Sequence, residues 1–209
     1  MNEEQLVRFS ELGVATVYEA SGRQGLVDAA LIQIIPNSCA AGPARTVLCG
    51  QDDNLMVHAV IEHIRPGEVL VLSMPDPAPV ALIGELLATQ VKVRKAAAIL
   101  VDASVRDVSE LVQLGLPIWT RFIRVRGATK TKIGELNTPV TVGGAQISTG
   151  DIMVLDADGA VCVKRERAEE VLRASGERLR REAALREKLL AGEMSYNLHG
   201  LRGIVERTK

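Results

Sequence analysis

The sequence predicts an α/β fold built as one domain with a helical arm. Three observations support this prediction. The length of 209 residues suits a single domain. The middle of the chain alternates short apolar runs with helical segments, which indicates parallel strands joined by crossover helices. The C-terminal part is a long charged segment rich in alanine and leucine. We therefore assign residues 1–164 to an α/β domain that carries the candidate site, and 165–209 to a C-terminal helical arm of the same domain.

Helices and strands alternate from the N-terminus to the middle of the chain. The spacing of Leu6, Phe9, Leu12 and Val17 predicts helical structure over 2–20, interrupted at Gly13. Predicted strands cover 31–36, 44–49, 68–73, 97–101 and 117–122, and predicted helices cover 53–64, 84–94 and 108–114. The proline-rich segment 75–82 is predicted to be a loop, and 102–107 a turn.

The second half of the chain changes character. Short apolar segments separated by Gly-Gly, Gly-Asp and Asp-Gly turns predict antiparallel strands. These segments are 140–142, 145–147, 152–156 and 160–164. Residues 165–191 form one long predicted helix, in which opposite charges recur at i,i+4 spacing.

Composition excludes several classes of function. A formal net charge of −1 and an aromatic content of 2% argue against a nucleic-acid-binding surface, which needs basic patches and stacking rings. No apolar run is long enough for a membrane span. The polar, acidic start does not resemble a signal peptide, so we expect a cytoplasmic protein. Three widely spaced cysteines without a CxxC pair predict neither disulfides nor a zinc ribbon.

Two segments contain most of the residues that could take part in catalysis or ligand binding. Gly84 at a helix start lets a ligand approach the backbone, where free N–H groups can bind an anion. Arg106 can form a bidentate contact with a carboxylate. Asp107 and Glu85 are oxygen ligands that suit Mg²⁺ or Mn²⁺. Asp102 and Asp107 flank the turn after a buried strand, where α/β proteins bind ligands.

A purely structural interpretation of the same residues is also open. Asp107 and Glu110 match a capping box, so Asp107 can simply cap the following helix. Glu85 near a helix start suits the helix dipole without any metal. Arg106 can be an ordinary surface arginine. His58 and His63 are five residues apart on a predicted helix, which is not metal-ligand spacing.

The order of motifs resembles the RraA-like family, which includes the aldolases of 4-hydroxy-4-methyl-2-oxoglutarate and 4-carboxy-4-hydroxy-2-oxoadipate. The resemblance rests on Gly84-Glu85-Leu86-Leu87 placed before Asp102 and Arg106-Asp107. Further segments agree in order, and together they extend over nearly the whole chain: 41–47, 66–69, 142–144, 150–152 and 158–159.

The resemblance implies a compact β/β/α fold of the swivelling-domain type and class II aldol chemistry with Mg²⁺ or Mn²⁺. It implies that Asp107 binds the metal directly and that Glu85 binds it through water. Arg106 and the backbone N–H groups of Leu86 and Leu87, in the segment that starts at Gly84, would bind the pyruvate part of the substrate.

The resemblance also implies a homotrimer or homohexamer with sites near subunit contacts. An acidic residue from the neighbouring subunit's C-terminal helix approaches the metal in the aldolases, and Glu182 is the best match here, with Glu187 second. Several positions depart from the family, among them Ala96-Ala97-Ala98, where glycines are usual, and Thr149 and Lys164, where proline is frequent. Ala103 stands where glycine is usual, so its β-carbon can restrict the pocket or the turn. Glu85 replaces the more usual aspartate.

The expected function is therefore that of a metal-dependent lyase. It would cleave a 4-hydroxy-2-oxo acid to pyruvate and a second oxo acid. Because oxaloacetate gives the same pyruvate enolate on losing CO₂, decarboxylase activity is expected as a side or main reaction. The alternative is a protein-binding regulator of the endoribonuclease RNase E, as some RraA-like proteins are.

Overall fold

The computed structural model describes residues 1–206, and its helices agree closely with those predicted. The α-helices are α1 (Glu3–Leu12), α2 (Val14–Ala20), α3 (Leu55–Val60), α4 (Glu85–Val93), α5 (Val108–Leu114), α6 (Ala168–Leu190), α7 (Ser195–Leu198) and α8 (Arg202–Glu206). Single 3₁₀ turns, Ile61–His63 and Arg165–Arg167, extend α3 and precede α6.

Eleven strands are described in this part of the chain. They are β1 (Ile32–Gln33), β2 (Ala40–Leu48), β3 (Val69–Ser73), β4 (Ala81–Ile83), β5 (Ala98–Val105), β6 (Ile118–Ile123), β7 (Glu135–Leu136), β8 (Val140–Val142), β9 (Ala145–Ile147), β10 (Ile152–Asp156) and β11 (Gly159–Val163). Nine belong to one mixed sheet in the order β1-β6-β5-β3-β2-β10-β11, with β4 on β5 and β7 on β2, while β8 and β9 form a separate hairpin.

The sheet combines the two pairing modes that the sequence predicts. Strands β2, β3, β5 and β6 run parallel, and α4 and α5 connect successive members of this group. Strands β10 and β11 form an antiparallel hairpin that pairs with the first half of β2. The predicted α/β class with a mixed sheet and a long C-terminal helix is thereby confirmed.

Three apolar clusters fill the space around the sheet. One face of the parallel strands packs against α3, α4 and α5, which contribute Val57, Leu87 and Leu111 to this cluster. The opposite face packs against the β8–β9 hairpin. Helices α1, α2 and α6 cover the outer face of β10 and β11. Successive side chains along a strand point to opposite faces of the sheet, so neighbouring residues of these strands belong to different clusters.

The structure corrects the prediction between residues 75 and 107. Part of the predicted loop 75–82 belongs to β4, which pairs in parallel with the end of β5. This extra partner carries β5 through Val105 instead of ending it at Val101, despite a shift in register. Asp102 therefore does not flank a turn. It lies within the strand, where its buried carboxylate accepts a hydrogen bond from Arg121 Nε at 2.6 Å.

The C-terminal arm begins as a packed helix and continues as an exposed one. Ala168, Val171 and Ser175 are buried against α1 and α2, whereas most later residues of α6 are exposed. Residues 207–209 of the predicted arm lie outside the described residues. No described helix has the length and apolar character needed to cross a membrane.

Candidate active site

A cavity of about 260 Å³ opens where β4 and β5 end and α4 begins. The sequence singled out five of its lining residues in advance: Gly84, Leu86, Leu87, Arg106 and Asp107. Parallel strands end together at one edge of a sheet, and the backbone turns away there to leave a crevice. The pairing of β4 with β5 thus brings two segments, 22 residues apart in the chain, to the same opening.

Asp107 does not cap the helix that follows it. Its backbone is left-handed, with φ of 62°, and its side chain makes no capping hydrogen bond to α5. A capping residue normally has extended backbone, which directs its side chain to the first-turn N–H groups. Asp107 Oδ2 instead accepts a hydrogen bond from the backbone N–H of Glu85 at 3.1 Å. The capping-box interpretation of Asp107 is wrong, and its carboxylate is directed towards the start of α4.

Two glycines make room for the arginine and the aspartate. A β-carbon on Gly84 would overlap Asp107 Oδ2 and would lie 3.1 Å from Arg106 Cγ. A β-carbon on Gly127 would lie 3.0 Å from Arg106 Nη1. Gly84 itself has ordinary extended backbone, so close approach, rather than an unusual φ, accounts for glycine at this position.

Arg106 and the start of α4 line the same cavity. The guanidinium donates no hydrogen bond to the described residues, and its nearest acidic partner is Asp107 Oδ2, 3.6 Å from Nε. Leu86 and Leu87 lie in the first turn of α4, where backbone N–H groups have no acceptor within the helix. A planar guanidinium and a helix N-terminus at one cavity are features that suit a carboxylate ligand.

The acidic residues fit a divalent ion that retains most of its water. Asp107 Oδ1 accepts no hydrogen bond from the described residues, which leaves it available as a ligand. The carboxylate of Glu85 accepts a hydrogen bond from Thr89 Oγ1 at 2.9 Å. Within residues 1–206, no three His, Cys, Asp or Glu side chains group as a metal cage. Mg²⁺ is commonly bound by one or two carboxylates together with substrate and water, so this set fits it.

The structure adds four polar residues that the sequence analysis did not select. Asn54, His58, Gln90 and Lys130 line the cavity beside Arg106. Asn54 immediately precedes α3, His58 lies in α3, Gln90 lies in α4 and Lys130 lies in the loop after β6, so no local motif connects them. In the sequence, His58 stood out only because histidine can bind a metal. It was not selected because its spacing from His63 is not that of a helical metal pair.

A buried carboxylate fixes the loop that carries Lys130. Asp53, fully buried, accepts hydrogen bonds from Thr129 Oγ1 and from the backbone N–H groups of Thr131, Lys132 and Leu55. Burial acts to raise the pKa of Asp53, but the four hydrogen bonds outweigh it and hold the pKa below its usual range. The start of α3 and the cavity loop are therefore joined through one side chain.

Two further sequence positions lie away from the cavity. Ala103 is fully buried in the core of β5 and does not line the opening, so its β-carbon is accommodated by packing. Glu182 forms an ion pair with Arg178 at 2.8 Å on α6, which packs against α1 and α2. Within one chain Glu182 is not part of the cavity lining, and its predicted role from a neighbouring subunit stays a prediction.

Comparison with known proteins gives consistent results. The sequence model of the RraA-like family, described as Aldolase/RraA, matches residues 14–162. A Halalkalibacterium halodurans protein provisionally named a 4-hydroxy-4-methyl-2-oxoglutarate aldolase is 31% identical over 171 residues, which cover 82% of this chain and 79% of that protein.

Solved structures show the same fold. Streptomyces coelicolor RraAS2, described as an unusual member of the RNase ES inhibitor RraA protein family, aligns with a TM-score of 0.78 at 26% identity over 89% of this chain and 97% of its own. An uncharacterised Pseudomonas syringae protein aligns with a TM-score of 0.80 at 21% identity, over 93% and 96% of the two chains, which shows the fold alone. The chain therefore belongs to the RraA-like family.

Proposed function

We propose that this chain is a divalent-metal-dependent lyase that cleaves a 4-hydroxy-2-oxo acid to pyruvate and a second oxo acid. The observation that carries the proposal is the convergence of Arg106, Asp107 and the first turn of α4 on one cavity. Membership of a family described as Aldolase/RraA, and the name of the Halalkalibacterium halodurans relative, support it. The substrate class includes 4-hydroxy-4-methyl-2-oxoglutarate and 4-carboxy-4-hydroxy-2-oxoadipate.

The cleavage releases an electron pair that the site must accommodate. The C4 hydroxyl loses its proton to solvent, the C3–C4 bond breaks, and C4 becomes the carbonyl carbon of the second product. The electron pair remains on the pyruvate half as an enolate, which then takes up a proton at C3. Negative charge thus develops on the C2 oxygen, and donors fixed near that oxygen lower the barrier.

Arg106 and the N–H groups of Leu86 and Leu87 are suited to hold that oxygen and the neighbouring carboxylate. The guanidinium remains charged throughout and donates in a fixed planar fork. A bound Mg²⁺ or Mn²⁺, held by Asp107 directly and by Glu85 through water, would supply further positive charge to the developing enolate. Oxaloacetate forms the same enolate when it loses CO₂, so we propose decarboxylase activity at the same site.

We also propose that the chain works as a homotrimer or homohexamer. Leu86, Val125 and Ile133 are large apolar side chains that remain at least three-quarters exposed in the single chain, and Leu86 lies at the rim of the cavity. An apolar rim is typical of a surface that another chain covers. In such an assembly Glu182, or Glu187 as the second choice, would approach the neighbouring site.

A protein-binding regulator is the second candidate function. The likeness to Streptomyces coelicolor RraAS2 favours it, because that protein is described as a member of an RNase ES inhibitor family. A contact surface does not require glycines that admit a carboxylate and a guanidinium into a cavity, so the site geometry favours the enzyme. Inhibition of RNase E by the purified chain, unchanged in Arg106→Ala and without any lyase activity, would support the regulator instead.

The test of the proposed function is a metal-dependent assay of pyruvate release. Purified protein is supplied with 4-hydroxy-4-methyl-2-oxoglutarate, 4-carboxy-4-hydroxy-2-oxoadipate or oxaloacetate, with Mg²⁺, with Mn²⁺ or with excess EDTA. We expect release from at least one hydroxy acid with either metal and none with EDTA. Full activity in EDTA would contradict the metal dependence, and no release from any substrate would contradict the lyase.

A further inference from the structure

Strand β5 contains one extra residue shortly before the site. Its pairing with β6 is regular as far as Val101, which lies opposite Thr120, and it resumes at Ser104, which lies opposite Phe122. Between these pairs β5 advances by three residues and β6 by two. This arrangement is a β-bulge, a feature that is common next to active sites, where it changes the direction of a side chain.

The bulge sets where the end of β5 meets its neighbours. Uninterrupted pairing would place each later residue of β5 one position further along β6, a distance of about 3.3 Å. Beyond the bulge the backbone is held on both sides. The N–H of Arg106 donates to the carbonyl oxygen of Ile83 at 3.2 Å. The carbonyl oxygen of Val105 accepts from the N–H of Arg124 at 3.1 Å. The shifted register therefore fixes the point at which Arg106 and Asp107 leave the sheet.

The hydroxyl of Thr120 lies inside the bulge. Thr120 is fully buried, and its Oγ1 lies 3.0 Å from the carbonyl oxygen of Ala103 and 3.0 Å from that of Phe122. A hydroxyl has one hydrogen to donate, so the two carbonyl groups share it. Ala103 belongs to the bulged stretch of β5, and Phe122 is the β6 residue at which pairing resumes. Thr120 thus connects the two strands where their register changes.

An ion pair spans the same gap. The carboxylate of Asp102, which is 1% exposed, accepts a hydrogen bond from Arg121 Nε at 2.6 Å. Asp102 lies in the bulged stretch, and Arg121 is the β6 residue opposite it. Removing one partner of a buried ion pair leaves an uncompensated charge and destabilises the whole protein. The uncharged Thr120 is therefore the better residue with which to test what the bulge does.

We propose that Thr120 is a positioning residue, which fixes the bulge in β5 and thereby aligns Arg106 and Asp107 at the cavity. The kinetic consequence of this inference rests on the proposed function, whereas the geometric consequence does not. The loop after β6 borders the guanidinium, since a β-carbon on Gly127 would lie 3.0 Å from Arg106 Nη1. A slip between β5 and β6 would move Arg106 relative to this loop, and a displacement of about 1 Å can cost on the order of 10²-fold in rate.

The test removes the hydroxyl and keeps the shape of the side chain. Thr120→Val replaces the hydroxyl with a methyl group, and Thr120→Ser retains the hydroxyl. Thr46→Val is the matched control: Thr46 is a fully buried threonine of β2 whose hydroxyl donates to the carbonyl oxygen of Thr138 at 2.7 Å, and it does not line the cavity. If Thr120→Val does not fold, Thr120→Ala, which places no methyl group against the two carbonyl oxygens, replaces it in the same test.

The first readout is the amide resonance of Glu85, whose N–H donates to Asp107 Oδ2 at 3.1 Å. A hydrogen bond to a carboxylate moves an amide proton resonance downfield, and Asp107→Ala gives the position of the resonance without that bond. In proton–nitrogen correlation spectra, we expect Thr120→Val to move the Glu85 resonance towards its position in Asp107→Ala. Thr120→Ser and Thr46→Val should leave it at the wild-type position.

The second readout is the steady-state kinetics of pyruvate release with saturating Mn²⁺. We expect Thr120→Val to lower kcat by about tenfold or more with a smaller change in KM, because Arg106 would interact most strongly with the transition state. Thr120→Ser should restore kcat. Thr46→Val should retain it, even if the two valine variants lose thermal stability equally, since a purely structural threonine affects the melting temperature and not kcat.

The outcomes distinguish the two proposals. A displaced Glu85 resonance in Thr120→Val, with no pyruvate release even by the wild type, would reject the lyase and support the positioning role. A Glu85 resonance that stays at the wild-type position in Thr120→Val would overturn the inference even if the lyase is active. An unchanged kcat in Thr120→Val, or an equal displacement of the resonance in Thr46→Val or Thr120→Ser, would overturn it as well.

Discussion

Asp107 Oδ2 accepts a hydrogen bond at 3.1 Å from the backbone N–H of Glu85, which is 22 residues away in sequence. This bond joins the end of β5 to the start of α4, the helix that follows the neighbouring strand β4. It occupies one carboxylate oxygen and fixes the direction of the other. The left-handed backbone of Asp107, uncommon for residues other than glycine, makes the contact possible.

Gly84→Ala should disrupt the site without unfolding the protein. The new β-carbon overlaps Asp107 Oδ2 and crowds Arg106, so both side chains must shift. Displacing a reacting group by about 1 Å can cost on the order of 10²-fold in rate. We expect a loss of that size in kcat/KM for pyruvate release, with cooperative thermal unfolding retained. Unchanged kinetics would show that the close approach has no functional role.

Gly176→Ala provides the matched control for that substitution. Gly176 lies within α6, and a β-carbon there would meet nothing within 4 Å. Alanine has the higher helix propensity, so we expect stability to rise by about 0.5–1 kcal/mol and activity to stay unchanged. Urea denaturation together with the pyruvate assay checks both expectations. A loss of activity in this control would mean that helix α6 contributes to the site through another route.

Asp107→Asn should separate charge from conformation. Asparagine tolerates left-handed backbone and keeps an oxygen that can accept from Glu85, so the fold should persist. The variant lacks the negative charge that binds a divalent ion. We expect the melting temperature to remain close to that of the wild type, while Mn²⁺ affinity and turnover both fall, the latter by about a hundredfold or more. Wild-type Mn²⁺ affinity in this variant would exclude Asp107 as a ligand.

Asp53 should make stability dependent on pH in the acid range. Its pKa is lower in the folded protein than in the unfolded chain, where it is about 4. The unfolded state therefore takes up a proton first, so the stabilisation by Asp53 is fully present above about pH 4 and is lost as the pH falls below it. Asp53→Asn removes charge-assisted hydrogen bonds and should cost about 1.5–3 kcal/mol near neutral pH.

The measurement for Asp53 is the free energy of unfolding by urea at pH 6 and pH 3, for wild type and Asp53→Asn. The difference between the two proteins should shrink at the lower pH. An equal difference at both values would mean that Asp53 titrates alike in the folded and unfolded states.

Sequence patterns predicted most elements because each has a local cause. The limits of α5, Val108–Leu114, agree with the prediction, since Gly115 and Pro117 end that helix. Strand β4 was missed because its conformation depends on pairing with β5, a contact that no local pattern encodes. For the same reason the end of β5 was placed too early.

The candidate site was predicted only in part. Gly84, Arg106 and Asp107 belong to short ordered motifs, so a resemblance could identify them. Asn54 and Lys130 enter the cavity from separate segments that the buried Asp53 joins, and neither segment has a motif of its own. The actual role of Asp107 in the fold also depended on tertiary structure, because its sequence context matches a helix cap that does not form.

The central claim, that this cavity stabilises a developing enolate, is tested most directly by steady-state kinetics of Arg106→Lys with saturating Mn²⁺. Lysine retains the positive charge but lacks the planar fork that can hold a carboxylate and an enolate oxygen together. If Arg106 acts on the transition state, kcat should fall on the order of 10²–10³-fold, with thermal unfolding like that of the wild type. Arg106→Ala should lose nearly all turnover. A near-normal kcat in Arg106→Lys would contradict the account, because the site would then lack its principal protein group for stabilising the enolate.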